Sequence, residues 1–357
     1  MENYLNTYIN EMKKDWMILE SQLDDIQFRI INSTLDKSLI VSGCAGSGKS
    51  VLALIQAKRI EKEKGKNYQV VVFTRALCDY MNSGREALEL SNTFLTKYAW
   101  QQYGAHSDYI IVDEIQDFEQ EDIQSFINST NKHFFFFGDT AQSVYKNFKN
   151  TVAVEDIQFV CSMNERPKYF ELYNNYRLPV GVAKIAQYIG TDLSKFEESA
   201  YKSKESAIPR ILGYEDLDRQ IAAIHRIVSR ETVSDVAILL PDNAIVKEVA
   251  EKLSAMGGNY EVRRQDKENK KTIDTLNFQS SNPKIMTYFS AKGLQFETVI
   301  IPCLESFSDK DKSSLYVAMT RTYKDLFLMY SGNMPAILSA IPKDLYKVSE
   351  TDIIEDL

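Results

Sequence analysis

Short apolar runs alternate with helix-like segments along most of the chain. The strand-like runs lie, in chain order, at residues 39–41, 68–73, 109–112, 133–137, 210–212, 236–240, 299–301 and 326–330. Continuous apolar runs of this length, separated by segments with helical spacing, are typical of strands buried on both faces of a parallel sheet. The pattern occurs on both sides of about residue 165, and therefore predicts an α/β fold with two domains, each built on a parallel sheet.

The pattern also predicts the domain limits. The first domain covers residues 22–165 and the second residues 166–345. Apolar residues at helical spacing in residues 1–21 predict an N-terminal helix packed on the first domain, with a helix that binds a protein partner as the alternative. The acidic residues 346–357 predict a frayed tail, with docking to a partner as the alternative.

Composition limits the classes of function. The chain has 357 residues, 44% of them hydrophobic, and a net charge of −8. With this net charge the protein has no overall positive field that would attract nucleic acid, so any nucleic-acid binding must come from a local groove. The polar start and the lack of a long apolar run predict a cytoplasmic protein without a membrane segment. The mixed-sign run at residues 263–271 predicts a solvated loop or hairpin, with phosphate contact as the alternative.

The segment Gly43–Ser50 carries the clearest chemistry. It reads Gly-Cys-Ala-Gly-Ser-Gly-Lys-Ser between a predicted strand and a predicted helix, and matches the Walker A pattern. Its glycines allow consecutive N–H groups to point at an anion beside a helix N-terminus. Lys49 is predicted to reach the β- and γ-phosphates of ATP, and the Ser50 hydroxyl to hold Mg²⁺. The predicted phosphate loop comprises Gly43, Ala45, Gly46, Ser47, Gly48, Lys49 and Ser50.

Polar residues at other strand ends complete this chemistry. Asp113 and Glu114 follow the strand-like run 109–112. Asp113 is predicted to bind Mg²⁺, and Glu114 to orient and deprotonate a water. Gln142 is expected at the same sheet edge, and Gln27 precedes the phosphate loop, where an amide can recognise the adenine edge. Arg177 and Arg321 could reach the γ-phosphate when the two domains close.

These motifs, in this order, resemble those of superfamily 1 helicases, closest to the UvrD/Rep branch, over about residues 22–335. The resemblance implies two RecA-like P-loop NTPase domains with ATP in the cleft between them, and translocation on single-stranded DNA with 3′ to 5′ polarity. The implied roles are adenine contact for Gln27, nucleotide sensing for Gln142, adenine stacking for Tyr176, and arginine fingers for Arg177 and Arg321. The element Thr287–Phe296 adds Gly293 and Gln295, where Gln295 replaces the family's ribose-binding glutamate.

A second departure concerns nucleic-acid binding. Where the family often has a tryptophan that stacks on a base, this chain has Asn147, and Phe148 would substitute only with a shift. Stacking contributes about 1–3 kcal/mol per base, so the grip on DNA should be weaker. The candidate nucleic-acid contacts are Phe73, Thr74, Arg75, Thr93, Phe94, Tyr145, Phe148 and Thr287.

The third departure is size. The connections before Asp113 and between Arg177 and Thr287 are too short for the family's full insertion domains, which help to grip and split duplex. The sequence therefore predicts a reduced two-domain motor, an ATP-driven single-stranded DNA translocase that unwinds poorly alone. One alternative is a regulatory ATP-sensing subunit that controls a partner, such as a nuclease in a repair or antiphage defence complex. The other is an RNA-directed member of the superfamily.

Overall fold

The computed structural model describes residues 23–104, 106–143, 150–161, 166–190, 196–230, 233–307 and 312–348. The predicted N-terminal helix, the candidate contacts Tyr145 and Phe148, and residues 349–357 of the predicted tail lie outside these ranges. Within the described part of the chain, no helix is both long enough and apolar enough to cross a bilayer.

The first half of the chain alternates strands and helices as predicted. Its elements are α1 (Asp25–Ile31), β1 (Leu39–Gly43), α2 (Lys49–Lys64), β2 (Tyr68–Val72), α3 (Arg75–Ala87), β3 (Leu95–Thr96), α4 (Lys97–Tyr103), β4 (Ser107–Val112), α5 (Gln120–Asn128), β5 (Thr130–Gly138) and β6 (Lys168–Leu172). The six strands form one sheet in the order β3-β2-β4-β5-β1-β6, and every pair is parallel. Short 3₁₀ turns at Ile115–Asp117 and Thr140–Gln142 follow β4 and β5.

The second half builds the other sheet. Its elements are α6 (Val180–Ala186), β7 (Arg210–Tyr214), α7 (Leu217–Val228), β8 (Val236–Leu240), α8 (Asn243–Ala255), β9 (Glu261–Asp266), β10 (Lys271–Asp274), β11 (Lys284–Thr287), β12 (Phe296–Ile301), α9 (Lys312–Met319), β13 (Thr322–Ser331) and α10 (Ala336–Ser339). The strand order is β10-β9-β11-β8-β12-β13-β7, and only the β9–β10 pair is antiparallel. The predicted α/β class, with a parallel sheet in each domain, is confirmed.

The boundary predicted after residue 165 needs a correction. Strand β6 lies in the first sheet, where it pairs with β1 from Leu39↔Lys168 to Gly43↔Leu172. The pairing satisfies the backbone groups on the open edge of β1, so the chain returns to the first sheet before it enters the second domain. The first domain therefore extends to at least Leu172.

Both faces of the first sheet are buried, which explains its continuous apolar strands. Phe135 and Phe137 of β5 point to one side and Phe134 and Phe136 to the other, and each pair joins a different apolar cluster. The cluster that contains Phe137 continues into the second domain, because Leu294 belongs to the same group of buried side chains. Apolar contact between the domains thus supports the polar groups that meet at the sheet edges.

Candidate nucleotide-binding site

The predicted phosphate loop lies between β1 and the N-terminus of α2. Lys49 is the first residue of α2, and its Nζ donates to the carbonyl oxygens of Gly43 (2.8 Å) and Cys44 (2.9 Å). Gly48 is the N-cap of this helix and makes no side-chain cap, so the first N–H groups of α2 face the loop. Free N–H groups, a helix dipole and a buried ammonium group are suited to binding phosphate.

The loop is held from the opposite side by the segment that carries Arg177. Asn175 Nδ2 donates to the Ala45 carbonyl, and the Tyr176 N–H donates to the Gly46 carbonyl at 2.9 Å. Gly46 has a φ of +72°, and a Cβ there would lie 2.4 Å from Asn175 Oδ1. The close approach requires glycine at this position. The phosphate loop and the predicted arginine finger therefore form one hydrogen-bonded unit.

Gln27 and Tyr176 lie beside the same loop. Gln27 Nε2 donates to the Ser47 carbonyl at 2.9 Å, and Gln27 forms a capping box with Asp24 at the start of α1. The Tyr176 hydroxyl donates to Asp24 Oδ2 at 2.6 Å. Burial and this hydrogen bond raise the pKa of Tyr176 to about 12, so the hydroxyl stays protonated. Asp24 thus fixes both residues that the sequence assigns to adenine.

The two carboxylates after β4 are buried side by side. Burial and the neighbouring charge of Glu114 raise the pKa of Asp113, and Ser50 also interacts with this carboxylate. Among the described residues, Asp113 Oδ2 has no hydrogen-bond partner. Burial alone would raise the pKa of Glu114, but the charges of Lys292, Lys49 and Arg321 bring it below its usual range. A buried carboxylate oxygen without a partner, next to a serine hydroxyl, fits the oxygen ligands that Mg²⁺ prefers.

Gln142 connects the two domains at this site. Its Nε2 donates to Asp139 Oδ2 at 2.5 Å, and its Oε1 accepts a hydrogen bond from Arg321 of the second domain. Arg177 donates to the Thr320 carbonyl at 2.7 Å, one residue before Arg321. Burial and the positive charge of Arg321 lower the pKa of Arg177 to about 9. The two guanidinium groups are therefore neighbours, and an anion between them would offset their repulsion.

Residues Gly293 and Gln295 pack on α3 of the first domain. A Cβ at Gly293 would lie 2.7 Å from a Leu77 methyl group. Gln295 Nε2 donates to the Tyr80 hydroxyl at 2.9 Å. The structure thus places both predicted nucleotide-binding residues in the contact between the domains.

The predicted nucleic-acid contacts fall into two groups. Phe94 is 2% exposed and packs in the apolar core. Thr287 is also buried, and its hydroxyl donates to Ser290 Oγ. The ring of Phe94 is thereby removed from the candidates for base stacking, which corrects the prediction. Thr74 and Phe73 are partly buried at the end of β2, with Phe73 edge-on to Phe118. Arg75 and Thr93 are exposed.

Several residues of the site escaped a sequence-based assignment. Lys292 Nζ lies 2.5 Å from Asp117 Oδ1 and also donates to the Gln142 carbonyl. Three further polar residues bond to the predicted site residues. Asp24 accepts a hydrogen bond from Tyr176, Asp139 accepts one from Gln142, and Asn175 donates to the Ala45 carbonyl. In the sequence, Lys292 lies between the apolar residues Ala291 and Leu294, and a lysine in such a segment is almost never fully buried unless it is paired, so its position could have indicated an ion pair.

The fold and site define a two-domain P-loop protein. The family model for the viral superfamily 1 RNA helicase core domain matches residues 39–227 and 225–330. The chain therefore belongs to this superfamily 1 helicase core family. The finer assignment to the UvrD/Rep branch stays a prediction.

A solved structure, the C-terminal domain of a possible DNA helicase from Lactobacillus plantarum WCFS1, is similar with 18% identity and a TM-score of 0.38. The match covers 49% of this chain and 99% of that one, and no residue role follows from it. No curated protein matches the chain significantly.

Proposed function

We propose that the chain is an ATP-driven translocase on single-stranded nucleic acid, with DNA as the substrate and 3′ to 5′ polarity. The observation that carries this proposal is the hydrogen bond from Arg321 of the second domain to Gln142 of the first, beside the buried pair Asp113 and Glu114. A site built from both domains lets nucleotide binding and hydrolysis alter the domain contact, as translocation requires.

Each residue has a role in the proposed reaction. The loop N–H groups and Lys49 hold the phosphates, while Ser50 and Asp113 would hold Mg²⁺, which neutralises phosphate charge. Glu114 orients the attacking water and accepts its proton. Arg177 and Arg321 place positive charge where the γ-phosphate develops negative charge. Gln142 bonds both to Arg321 of the second domain and to Asp139 of the first, so that water activation and closure of the domains occur together.

Steady-state ATP hydrolysis with and without single-stranded nucleic acid tests the proposal. We expect strong stimulation by an oligodeoxythymidine that falls as salt rises, and no turnover by Lys49→Ala. The matched family is named for RNA helicases, so an oligouridine of equal length serves as the second substrate. Stronger stimulation by oligouridine would assign RNA as the substrate; turnover that ignores both polymers would refute the translocase.

The second candidate is a regulatory ATP-sensing subunit. Two aromatic side chains of α4 favour it, because Tyr98 and Tyr103 are 77% and 71% exposed, and exposed tyrosines are suited to protein contacts. The predicted partner, such as a nuclease, and the cytoplasmic location stay predictions. ATP hydrolysis that is independent of nucleic acid but changes with a co-purified protein would favour this function over translocation.

A further inference from the structure

The β9–β10 hairpin ends in an exposed cluster of lysines. The hairpin closes the free edge of the second sheet, with Lys271 opposite Asp266 and Asp274 opposite Arg263. Its turn covers residues 267–270, and Lys267, Lys270 and Lys271 are all exposed. We name these three residues the lysine tip. In a chain with a net charge of −8, such a cluster is a local exception.

Two of the four carboxylates of the hairpin, Glu261 and Asp274, pair at its base, while Asp266 and the exposed Glu268 lie at the turn. Asp274 pairs with Arg263 at 2.6 Å, and Glu261 lies 3.6 Å from Lys284. Asp266 accepts two hydrogen bonds from Asn269. Across the ranges that the structure describes, none of the three tip lysines has an ion-pair partner within 4.0 Å. Residues 266–271 carry three lysines against two carboxylates, Asp266 and Glu268, so the turn keeps a net charge of +1 and its lysines are available to an external anion.

The backbone of the turn includes one non-glycine residue with a positive φ. Lys270 has a φ of +50°, in the left-handed region that favours glycine or asparagine. Lys270 is the last residue before β10, and this conformation turns the chain back into the antiparallel strand.

The hairpin adjoins the predicted nucleic-acid groove. Arg263 lies 3.9 Å from Asp79 of α3, and Asp79 pairs with Arg75 at 3.1 Å. Arg75 follows the carboxyl end of β2, where the sequence predicts contacts with a single strand. Just beyond the hairpin, Phe278 packs edge-on against Tyr80, also of α3, with ring centroids 5.6 Å apart. The base of the hairpin is thus fixed beside Arg75, while its tip extends outward.

We propose that the lysine tip binds the phosphodiester backbone of the single strand as it passes Arg75 and leaves the groove. This inference rests on the proposed function and adds a contact surface to it. The tip residues 267–271 include no aromatic side chain, so the contact is to phosphates and independent of base sequence. This contact would supply part of the affinity for the single strand that the family's stacking tryptophan and full insertion domains would otherwise provide.

The test is a triple variant, Lys267→Gln, Lys270→Gln and Lys271→Gln, in the full chain. Binding of a fluorescent oligodeoxythymidine is measured by anisotropy at several salt concentrations. Each lost phosphate contact should reduce the slope of log K against log salt by about 0.7, so three lost contacts reduce it by about 2. Weaker binding at low salt should accompany the shallower slope, while ATP hydrolysis without nucleic acid stays unchanged.

The matched control is Lys37→Gln, Lys62→Gln and Lys66→Gln, which removes three exposed lysines near the amino ends of β1 and β2. This control should keep the wild-type slope. The inference would be overturned by a tip variant that binds like wild type, or by a control variant with the same loss of binding. Stimulation of wild-type ATP hydrolysis by the single strand would still support translocation in either case. Absence of that stimulation would instead refute the proposed function.

Discussion

Lys292 of the second domain lies 2.5 Å from Asp117 of the first, and both side chains are at most 2% exposed. Two buried charges of opposite sign lose their water and depend on each other, so removal of one leaves the other uncompensated. Because 175 positions separate these residues in the chain, their pairing joins the two domains beside the nucleotide site.

Lys292→Met should destabilise the protein by about 3–5 kcal/mol, because Asp117 would remain buried without its cation. Urea unfolding monitored by circular dichroism measures the loss. Lys324→Met is the control, since Lys324 pairs with Glu297 at 2.9 Å but is 39% exposed; it should cost about 0–1 kcal/mol. Equal losses in the two variants would show that the buried pair contributes no more to the free energy of unfolding than the exposed one.

Arg177→Ala and Arg321→Ala should each lower the kcat of ATP hydrolysis by about 10³-fold with little change in KM, because the guanidinium groups act on charge that develops in the transition state. Arg219→Ala, at a position that is 70% exposed on α7, is the control, and its kcat should stay at the wild-type value. A variant that raises KM while kcat is preserved would assign that arginine to nucleotide binding instead.

Glu114→Gln should retain ATP binding and lose hydrolysis by about 10²–10⁴-fold, since the amide keeps the shape of the carboxylate but cannot accept the proton. Binding of a fluorescent ATP analogue and single-turnover hydrolysis separate these two effects. Glu121→Gln, at an exposed position of α5, is the matched control. Loss of analogue binding would indicate a structural role for Glu114, through its hydrogen bond from Gln116.

The local part of the site could be predicted from the sequence. The phosphate loop is a contiguous pattern between a strand and a helix, and Asp113 follows an apolar strand, so neighbouring residues determine both. Asp113 directly follows β4, Gln142 lies in the turn after β5, and Lys49 begins the helix that follows β1 and its loop, so all three lie beyond the carboxyl ends of neighbouring strands. Parallel strands bring their carboxyl ends together, which makes this arrangement predictable in kind.

Features that depend on distant pairing could not be predicted. The place of β6 in the first sheet follows from its hydrogen bonds to β1, which lies more than 120 positions earlier. An apolar residue such as Phe94 suits a core or a stacking surface equally well until its surroundings are known. The same holds for Asn175, whose contact with the Ala45 carbonyl spans 130 positions. Sequence patterns identify such residues as polar or apolar but do not name their partners.

Asn175→Ala should lower kcat about tenfold or more, because it removes three hydrogen bonds that fix the arginine segment to the phosphate loop. The side chain donates to Ala45 and accepts from the N–H groups of Arg177 (3.0 Å) and Leu178 (2.8 Å). Without them, Arg177 loses its fixed position relative to the phosphates even though its own contact with Thr320 is intact.

The adjacent Asn174→Ala is the control for this effect. Asn174 Nδ2 donates to Asp24 at 3.1 Å and to the Tyr176 hydroxyl at 3.2 Å, on the side assigned to adenine. Its loss should raise the KM for ATP and leave kcat close to the wild-type value, whereas Asn175→Ala should do the reverse. Melting temperatures of both variants separate misplacement of Arg177 from general unfolding. If Asn175→Ala lost only stability, with kcat preserved at low temperature, the asparagine would hold the fold together without positioning the arginine.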